Sequence, residues 1–364
     1  MSICLIGKNL TAFVLSKILI NNGISVDLYY SNNDISKKKA NPSYRTIGLS
    51  NDSIDFLESQ KIIHKRNCWD IKKINLYKGE SSKSFLNFNS KKSSFFMTSH
   101  KNLYNSLEIS LKKNKLLKIK KRNSSKSFLQ LTKKNYEIII ITDTNNSLFK
   151  KHFSKRIKKD YNSTAFTTII HHDSIKNDIA EQYFTNFGPL AFLPISNIKT
   201  SIVFSVFDKD LMKNKSKVVK LIKNYNNFYK IKKMGSLQEF PINLSLTRNY
   251  FYKNILSFGD TLHRIHPLAG QGFNMTLRDA KILSQLIKKN LELGLNLDTV
   301  LKEFEVKRKN SNFIFAMGVD FLHEFFKFIN KYNTKSIDNF FKVMNKNIFI
   351  KKKLEKFADK GFFF

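Results

Sequence analysis

GDTLHRIHPLAGQGFNMTLRDAKIL, residues 259–283, places a strand end, a glycine-rich loop and a helix start in one short stretch. The apolar run 255–258 just ahead of it reads as a strand, and that strand delivers Asp260 at its carboxyl end. Pro267, Gly270 and Gly272 then break the chain into a loop. Asn274 opens a helix predicted to reach about residue 291, with Thr276 and Asp279 near its start. A glycine turn feeding a helix amino terminus suits a phosphate or a developing negative charge, because the first backbone N–H groups of a helix have no partner within it. An aspartate at the adjoining strand end can hold a ribose or ribitol hydroxyl. His263 and His266 stand three apart in the loop, and His171-His172 lie elsewhere. Neither pair brings the further converging ligands that a metal site needs, so no metal is expected.

Outward from this stretch, the amino terminus repeats the theme. Residues 3–6 form an apolar strand, Gly7 to Leu10 a turn, 11–21 a helix closing at Asn22-Gly23, and 24–30 a second strand. That is a βαβ unit, the arrangement that cradles dinucleotides when three glycines line the turn. Here only Gly7 is glycine. Asn9 and Ala12 hold the next two places, and Tyr30 stands where an acid is expected at the end of the second strand. Read alone, the turn leaves an ordinary βαβ unit open. A helix is expected near Asn51, strands over 71–96, a helix over 103–111, and a buried parallel strand at 138–141 ending in Thr142-Asp143-Thr144. Alternating stretches over 161–250 predict an antiparallel sheet, and helical patterns run from 297 to 328 and on through the Lys- and Phe-rich end.

Composition bounds the function classes. The chain has 364 residues with 64 Lys+Arg against 28 Asp+Glu, a formal charge of +36. A 41% apolar content with 34 Phe supports large cores and excludes a wholly disordered chain. Only eight of the cations are Arg, so the charge is a lysine background rather than a set of base-reading forks, and no specific nucleic acid is expected. Contact with an anionic membrane surface suits it better. Cys4 and Cys68 are too few for a disulfide scaffold. No apolar run is long enough to span a bilayer, no signal peptide is read, and no Gly-x-Ser-x-Gly elbow points to a hydrolase.

Residues 259–283 resemble the second flavin-binding motif of class A flavoprotein aromatic monooxygenases, and within them the ubiquinone-biosynthesis FAD-dependent hydroxylase family. Four further segments agree in order: RTIGLSNDSIDFL (45–57), IIITDTNNS (139–147), DYNSTAFTTIIHHD with AEQYFTNFGPLAFLPI (160–173, 180–195), and FEVKRKNSNFIFAMGVDFLHEFF (304–326). The resemblance implies an α/β fold, with a Rossmann-like FAD-binding domain interleaved with an antiparallel-sheet substrate domain and a helical C-terminal region. The expected boundaries are 1–160 for the first FAD-binding part, with inserted strands about 71–100. The substrate sheet is expected at 161–250, the second FAD-binding part at 251–295 and the helical region at 296–364.

The resemblance also implies site residues. Gly7 would be the first glycine of the dinucleotide turn, Arg45 would meet FAD from the loop after strand two, Asp143 would belong to the central motif, and Asp260 would bind the ribitol and pyrophosphate region. Pro267, Leu268, Ala269, Gly270, Gln271, Gly272 and Phe273 would shape the loop beside the isoalloxazine, and Asn274 would open the helix facing it. His266 and Pro267 are the candidate catalytic positions. The implied reaction is ring hydroxylation of a polyprenylated phenol or benzoquinol intermediate by O2 through a C4a-hydroperoxyflavin, with NAD(P)H as co-substrate. Implied partners are that substrate, a membrane surface and a ubiquinone-biosynthesis protein complex. The expected location is the cytoplasm, with peripheral attachment to the inner membrane left open. Asn9, Ala12, Tyr30 and Thr144 depart from the family pattern at the adenine half of FAD. These departures leave two other readings open: a same-fold hydroxylase of another small aromatic, and a catalytically degraded scaffold in a biosynthetic complex.

Overall fold

The computed structural model describes residues 2–31, 45–79, 81, 83–89, 94–122, 128–267 and 270–331, with positions 347, 349, 352, 353, 356 and 359 beyond them. Short strands, most of them rich in buried apolar residues, build its first layer. β1 (Ser2–Ile6), β2 (Ser25–Tyr30), β8 (Leu117–Lys121), β9 (Ile138–Ile141) and β17 (Ile255–Ser257) lie parallel in the order β17-β9-β1-β2-β8, with β16 (Phe251–Tyr252) antiparallel at the edge. All four isoleucines of β9 are buried, as a parallel strand covered on both faces requires. α1 (Leu10–Asn21) crosses between β1 and β2 and buries nine of its residues, all but Ser16 of them in the main core.

A second, nine-stranded sheet is built mostly of antiparallel pairs. Its strands are β5 (Lys73–Lys78), β6 (Leu86–Asn89), β10 (Arg156–His172), β11 (Ile179–Thr185), β12 (Gly188–Ser196), β13 (Lys199–Val206), β14 (Ile231–Met234), β15 (Gln238–Thr247) and β18 (His263–Arg264). The alternation over 161–250 thus forms the expected sheet. The structure adds that β5 and β6, from the segment expected as an insertion in the first domain, complete this sheet through a parallel pairing of β5 with β11. Three short strands, β3 (Thr46–Leu49), β4 (Trp69–Ile71) and β7 (Phe95–Ser99), make a small sheet that bridges the two layers.

Helices cover the sheets. α2 (Asn51–Ser59) follows β3, and α3 (His100–Lys112) packs on α1 with the Phe13 and Tyr104 rings 4.9 Å apart. α4 (Ser147–His152) follows β9. α5 (Lys209–Lys213) and α6 (Lys215–Asn224) interrupt the strands of the large sheet. Val218, Ile222 and Tyr225 cover the sheet face that carries Phe166, Phe204 and Tyr183. α7 (Gln271–Glu292) and α8 (Val300–Lys331) close the other face, where Met275 and Phe315 meet Ala165, Ile242 and Ile265. The helical pattern expected after residue 331 lies almost wholly outside the described residues. No described helix is long and apolar enough to cross a membrane.

Candidate functional site

Strand ends converge at the carboxyl edge of the parallel sheet, the edge at which such sheets take ligands. β1 runs into Gly7, whose φ of +125° is open to glycine and few other residues. A Cβ at Gly7 would lie 2.4 Å from Thr142 Oγ1 and 3.3 Å from Asp143 Cβ, so the turn after β1 touches the end of β9. The Thr142 hydroxyl donates to the Ile6 carbonyl at 3.0 Å. Asn9 donates to the Thr142 carbonyl and hydroxyl at 3.0 and 3.1 Å, and accepts the Ala12 amide at 3.0 Å. Its side chain therefore caps α1 and takes one of the amides an incoming phosphate would use, leaving those of Leu10 and Thr11 at the helix start.

β17 joins the same place. A Cβ at Gly259 (φ +67°) would fall 2.9 Å from Thr11 Cγ2, so Asp260 stands beside the first turn of α1. Buried Thr261 holds this turn by donating to the Ile141 carbonyl at 2.8 Å and accepting the Phe258 amide at 2.8 Å. Asp260 itself is exposed, with Arg264 4.0 Å away, and so is available to hydroxyl donors. Asp143 is half-buried and accepts the Asn145 amide at 2.9 Å. Arg45 is exposed just before β3, and its carbonyl accepts the His100 amide at 3.1 Å.

The far end of the site is the start of α7. Gly270 (φ +65°) is its N-cap and makes no side-chain cap. A Cβ there would come within 3.7–3.8 Å of the Gly48 amide and Cα, so the uncapped helix end lies over the backbone of β3. The helix begins at Gln271, so Asn274 does not open it as expected. Asn274 sits buried in the first turn and ties it to β3, donating to the Gly48 carbonyl and accepting the Ser50 amide, both at 3.0 Å. Gln271 Oε1 is buried with no hydrogen-bond partner among the described residues. The Gly272 carbonyl accepts the Thr276 hydroxyl at 3.3 Å, and Phe273 packs on the main core. The Pro267 carbonyl accepts the Gly270 amide at 3.1 Å, which tightens the loop. Leu268 and Ala269, also expected here, lie outside the described residues.

Between these ends the large sheet presents a strip of modest side chains. Gln182 pairs with Ala191, Ala191 with Val203, and Val203 with Thr167, so the four lie side by side on one face. They are half-buried although they sit mid-sheet. To one side Thr46 of β3 meets Ser201 through a 2.8 Å hydroxyl contact, and to the other Ile265 and Met275 cover Ala165. The strip is thus flanked by β3 and by the loop leading to α7, the two elements that form the helix-end cradle.

His266 is placed away from solvent. It is fully buried, stacked on His323 of α8 at 4.2 Å and edge-on to Tyr161 at 5.2 Å. Tyr161 donates to Asp320 at 2.7 Å. Burial, with His323 adding to it, pushes the His266 pKa from 6.5 down to about 3. Any role in chemistry would be played by the neutral imidazole. The unfolded chain protonates such a histidine near pH 6.5 and the folded chain only near 3, so the unfolded state binds more protons in between. The contribution to stability is complete above pH 6.5 and is lost as the pH falls toward 3. His266→Phe is expected to flatten this acid-side loss in urea unfolding at pH 7.5, 6 and 5. An unchanged pH slope would contradict the assignment.

A family model described as squalene epoxidase matches residues 136–345, more than half of the chain. The chain belongs to the squalene epoxidase family. The match takes in the large sheet apart from β5 and β6, the 259–283 loop and both long helices. Among curated relatives of this family member, the mitochondrial ubiquinone biosynthesis monooxygenase COQ6 of Danio rerio is 24% identical over 229 residues, 51% of this chain and 47% of that one. The 3-demethoxyubiquinol 3-hydroxylase of Escherichia coli is 27% identical over 156 residues, 40% of this chain and 39% of that one. The chain spans about half the length of the curated relatives it matches. Among solved structures, p-nitrophenol 4-monooxygenase PnpA of Pseudomonas putida superposes with a TM-score of 0.74 at 11% identity, covering 99% of this chain and 98% of that one. Klebsiella pneumoniae HpxO, complexed with FAD and uric acid, gives 0.71 at 11% identity over 99% and 97%. The α/β fold of class A flavin monooxygenases, with its helical C-terminal region, is therefore the fold of this squalene epoxidase family member.

The residues present fit FAD at the ring end, where the uncapped helix start, the Gly48 backbone and the orphan Gln271 acceptor form a ready cradle. They fit at Gly7 and Asp260 as well, while Asn9 narrows the pyrophosphate turn. Sequence reading missed Thr142 and Thr261, whose hydroxyls lock the strand ends, and His323, which stacks on the loop from α8. It also missed Arg308 and Asn312, which bind Asp279. Their spacing of four within 304–326 puts both on one helix face and was the available signal.

Proposed function

We propose that the chain is an FAD-dependent monooxygenase that hydroxylates the aromatic ring of a polyprenylated phenol or benzoquinol intermediate of ubiquinone biosynthesis, using NAD(P)H and O2. The observation that carries this reading is the half-buried strip flanked by β3 and the loop to α7. Its side chains remain partly accessible beside a helix start suited to negative charge. The names of the COQ6 and 3-demethoxyubiquinol hydroxylase relatives support the substrate class. Bound FAD would supply oxygen activation and accept electrons from the nicotinamide. Gly7, Asp143 and Asp260 would hold its pyrophosphate and sugar side, with Arg45 reaching in from the start of β3. The amides at the start of α7 would stabilise negative charge on the ring, and Gln182, Ala191, Val203 and Thr167 would orient the substrate. A net charge of +36 supports peripheral contact with an anionic membrane, where a prenylated substrate resides. Association with other ubiquinone-biosynthesis proteins belongs to the same proposal.

The absorption spectrum of the purified protein tests this reading. Flavin bands bleached by NADH or NADPH are expected, and a colourless protein that fails to take up added FAD would sink it. Asp260→Ala is expected to lower bound FAD at least several-fold without loss of fold by circular dichroism; unchanged occupancy would remove Asp260 from the site. One observation favours a second reading, a non-catalytic scaffold: the Asn9 side chain occupies the Ala12 amide. Failure of flavin uptake with intact folding would support it.

A further inference from the structure

The dinucleotide turn of this chain has no acid at the end of β2, where Tyr30 stands. Asp27, the acid within that strand, lies three residues before its end and bonds Lys120 at 2.7 Å and Tyr136, part of the core that also holds Tyr29, at 2.6 Å. Another carboxylate reaches the turn from a different element. Lys8, between Gly7 and Asn9, places its Nζ 2.9 Å from Glu108 Oε1 and 5.1 Å from the centroid of the Tyr30 ring. Glu108 is the only acid of α3, the helix that packs on α1 through Tyr104 and Phe13. One ammonium thus links the vacant acid position to a carboxylate distant in sequence.

We propose that Glu108 carries the ribose-binding role missing at Tyr30, accepting the hydroxyls of the adenosine half of a dinucleotide. This rests on the FAD reading above and deepens it. Lys8 and Lys112 both engage Oε1, at 2.9 and 3.4 Å, and a carboxylate has acceptor capacity beyond those two contacts. The side chain is about one-fifth exposed, open enough to meet a ligand and buried enough to hold its geometry. Burial works to raise its pKa, but the Lys8 and Lys112 bonds hold it below the ordinary glutamate value, so it stays an acceptor at neutral pH. The arrangement also explains how a chain with Asn9 and Tyr30 can retain a dinucleotide. The acid has moved from the strand end to the neighbouring helix, and Lys8 keeps it at the turn.

The test uses flavin fluorescence quenching on the apoprotein, with FAD and FMN as probes and ADP as competitor. FAD and ADP contain the adenosine ribose and FMN does not. Glu108→Gln is expected to weaken FAD and ADP about tenfold or more while leaving FMN within twofold, the loss appropriate to hydrogen bonds onto a charged acceptor. Tyr30→Glu in the Glu108→Gln background should restore FAD affinity, because it returns the acid to the strand end. Equal FAD affinity in wild type and Glu108→Gln would overturn the proposal and leave the flavin reading standing. So would parallel weakening of FAD and FMN, which would make Glu108 a structural ion-pair partner only. A wild-type apoprotein that binds neither FAD nor ADP would overturn both readings.

Discussion

Asp279→Asn is expected to destabilise the protein by about 3–5 kcal/mol, the cost of leaving a buried charge without its partner. Asp279 is wholly buried. It accepts His263 Nε2 at 2.7 Å, Arg308 Nε at 2.6 Å and Asn312 Nδ2 at 3.0 Å, and Asn312 in turn donates to the Tyr250 hydroxyl at 3.3 Å. Burial alone would raise the pKa of its carboxyl, but the Arg308 guanidinium and the His263 bond hold it below the usual carboxylate range. The substitution removes the only charge opposing Arg308 among these contacts and leaves it beside Arg278, a second buried cation. Arg278 is already pushed down to about 10 by burial and by Arg308. Domains are stable by only about 5–15 kcal/mol, so much of the margin would go. Urea unfolding measures it, and a loss below about 1 kcal/mol would show that the network contributes little. Arg308→Met combined with Asp279→Leu should cost less than the sum of the two single changes, because no buried charge is then left alone.

Gly7→Ala is expected to remove most bound FAD, at least tenfold in occupancy, and to lower stability by about 1–3 kcal/mol. The added methyl would fall 2.4 Å from Thr142 Oγ1, which cannot yield freely because it is fixed to the Ile6 carbonyl and to Asn9. The backbone at φ +125° adds strain of its own. Relief would part the β1 turn from the end of β9 and spoil the meeting of strand ends. Gly23→Ala is the control. Its φ of +76° is also strained for alanine, yet nothing lies within 4 Å of the added Cβ, so it should lower stability modestly and leave flavin content unchanged. Equal flavin retention in Gly7→Ala and wild type would remove this turn from the cofactor site.

Much of the fold was legible because its signals are short-range. Four consecutive isoleucines made a parallel core strand, and alternation at 180–184 and 201–207 made strands of the large sheet. The 259–283 loop was legible because two glycines and a proline between a strand and a helix restrict the backbone strongly. The helix start was missed by three residues, since Gly270 caps through its left-handed backbone rather than through a capping side chain. His266 was read as a candidate for the chemistry, but whether a loop histidine meets solvent depends on what packs over it. His323 and Tyr161, each far away in the chain, decide that.

By itself, then, the sequence determined the βαβ start, the alternating sheet and the strand–loop–helix motif. Each follows from residue periodicity and from the few conformations open to glycine and proline within a handful of positions. Only the tertiary structure decided that β5 and β6 finish the second sheet, that Asp279 is a buried hub, and that Glu108 pairs with Lys8 of the turn after β1. These outcomes join segments whose meeting is set by the packing of whole layers, and no local pattern encodes which distant side chain a layer will bring into reach.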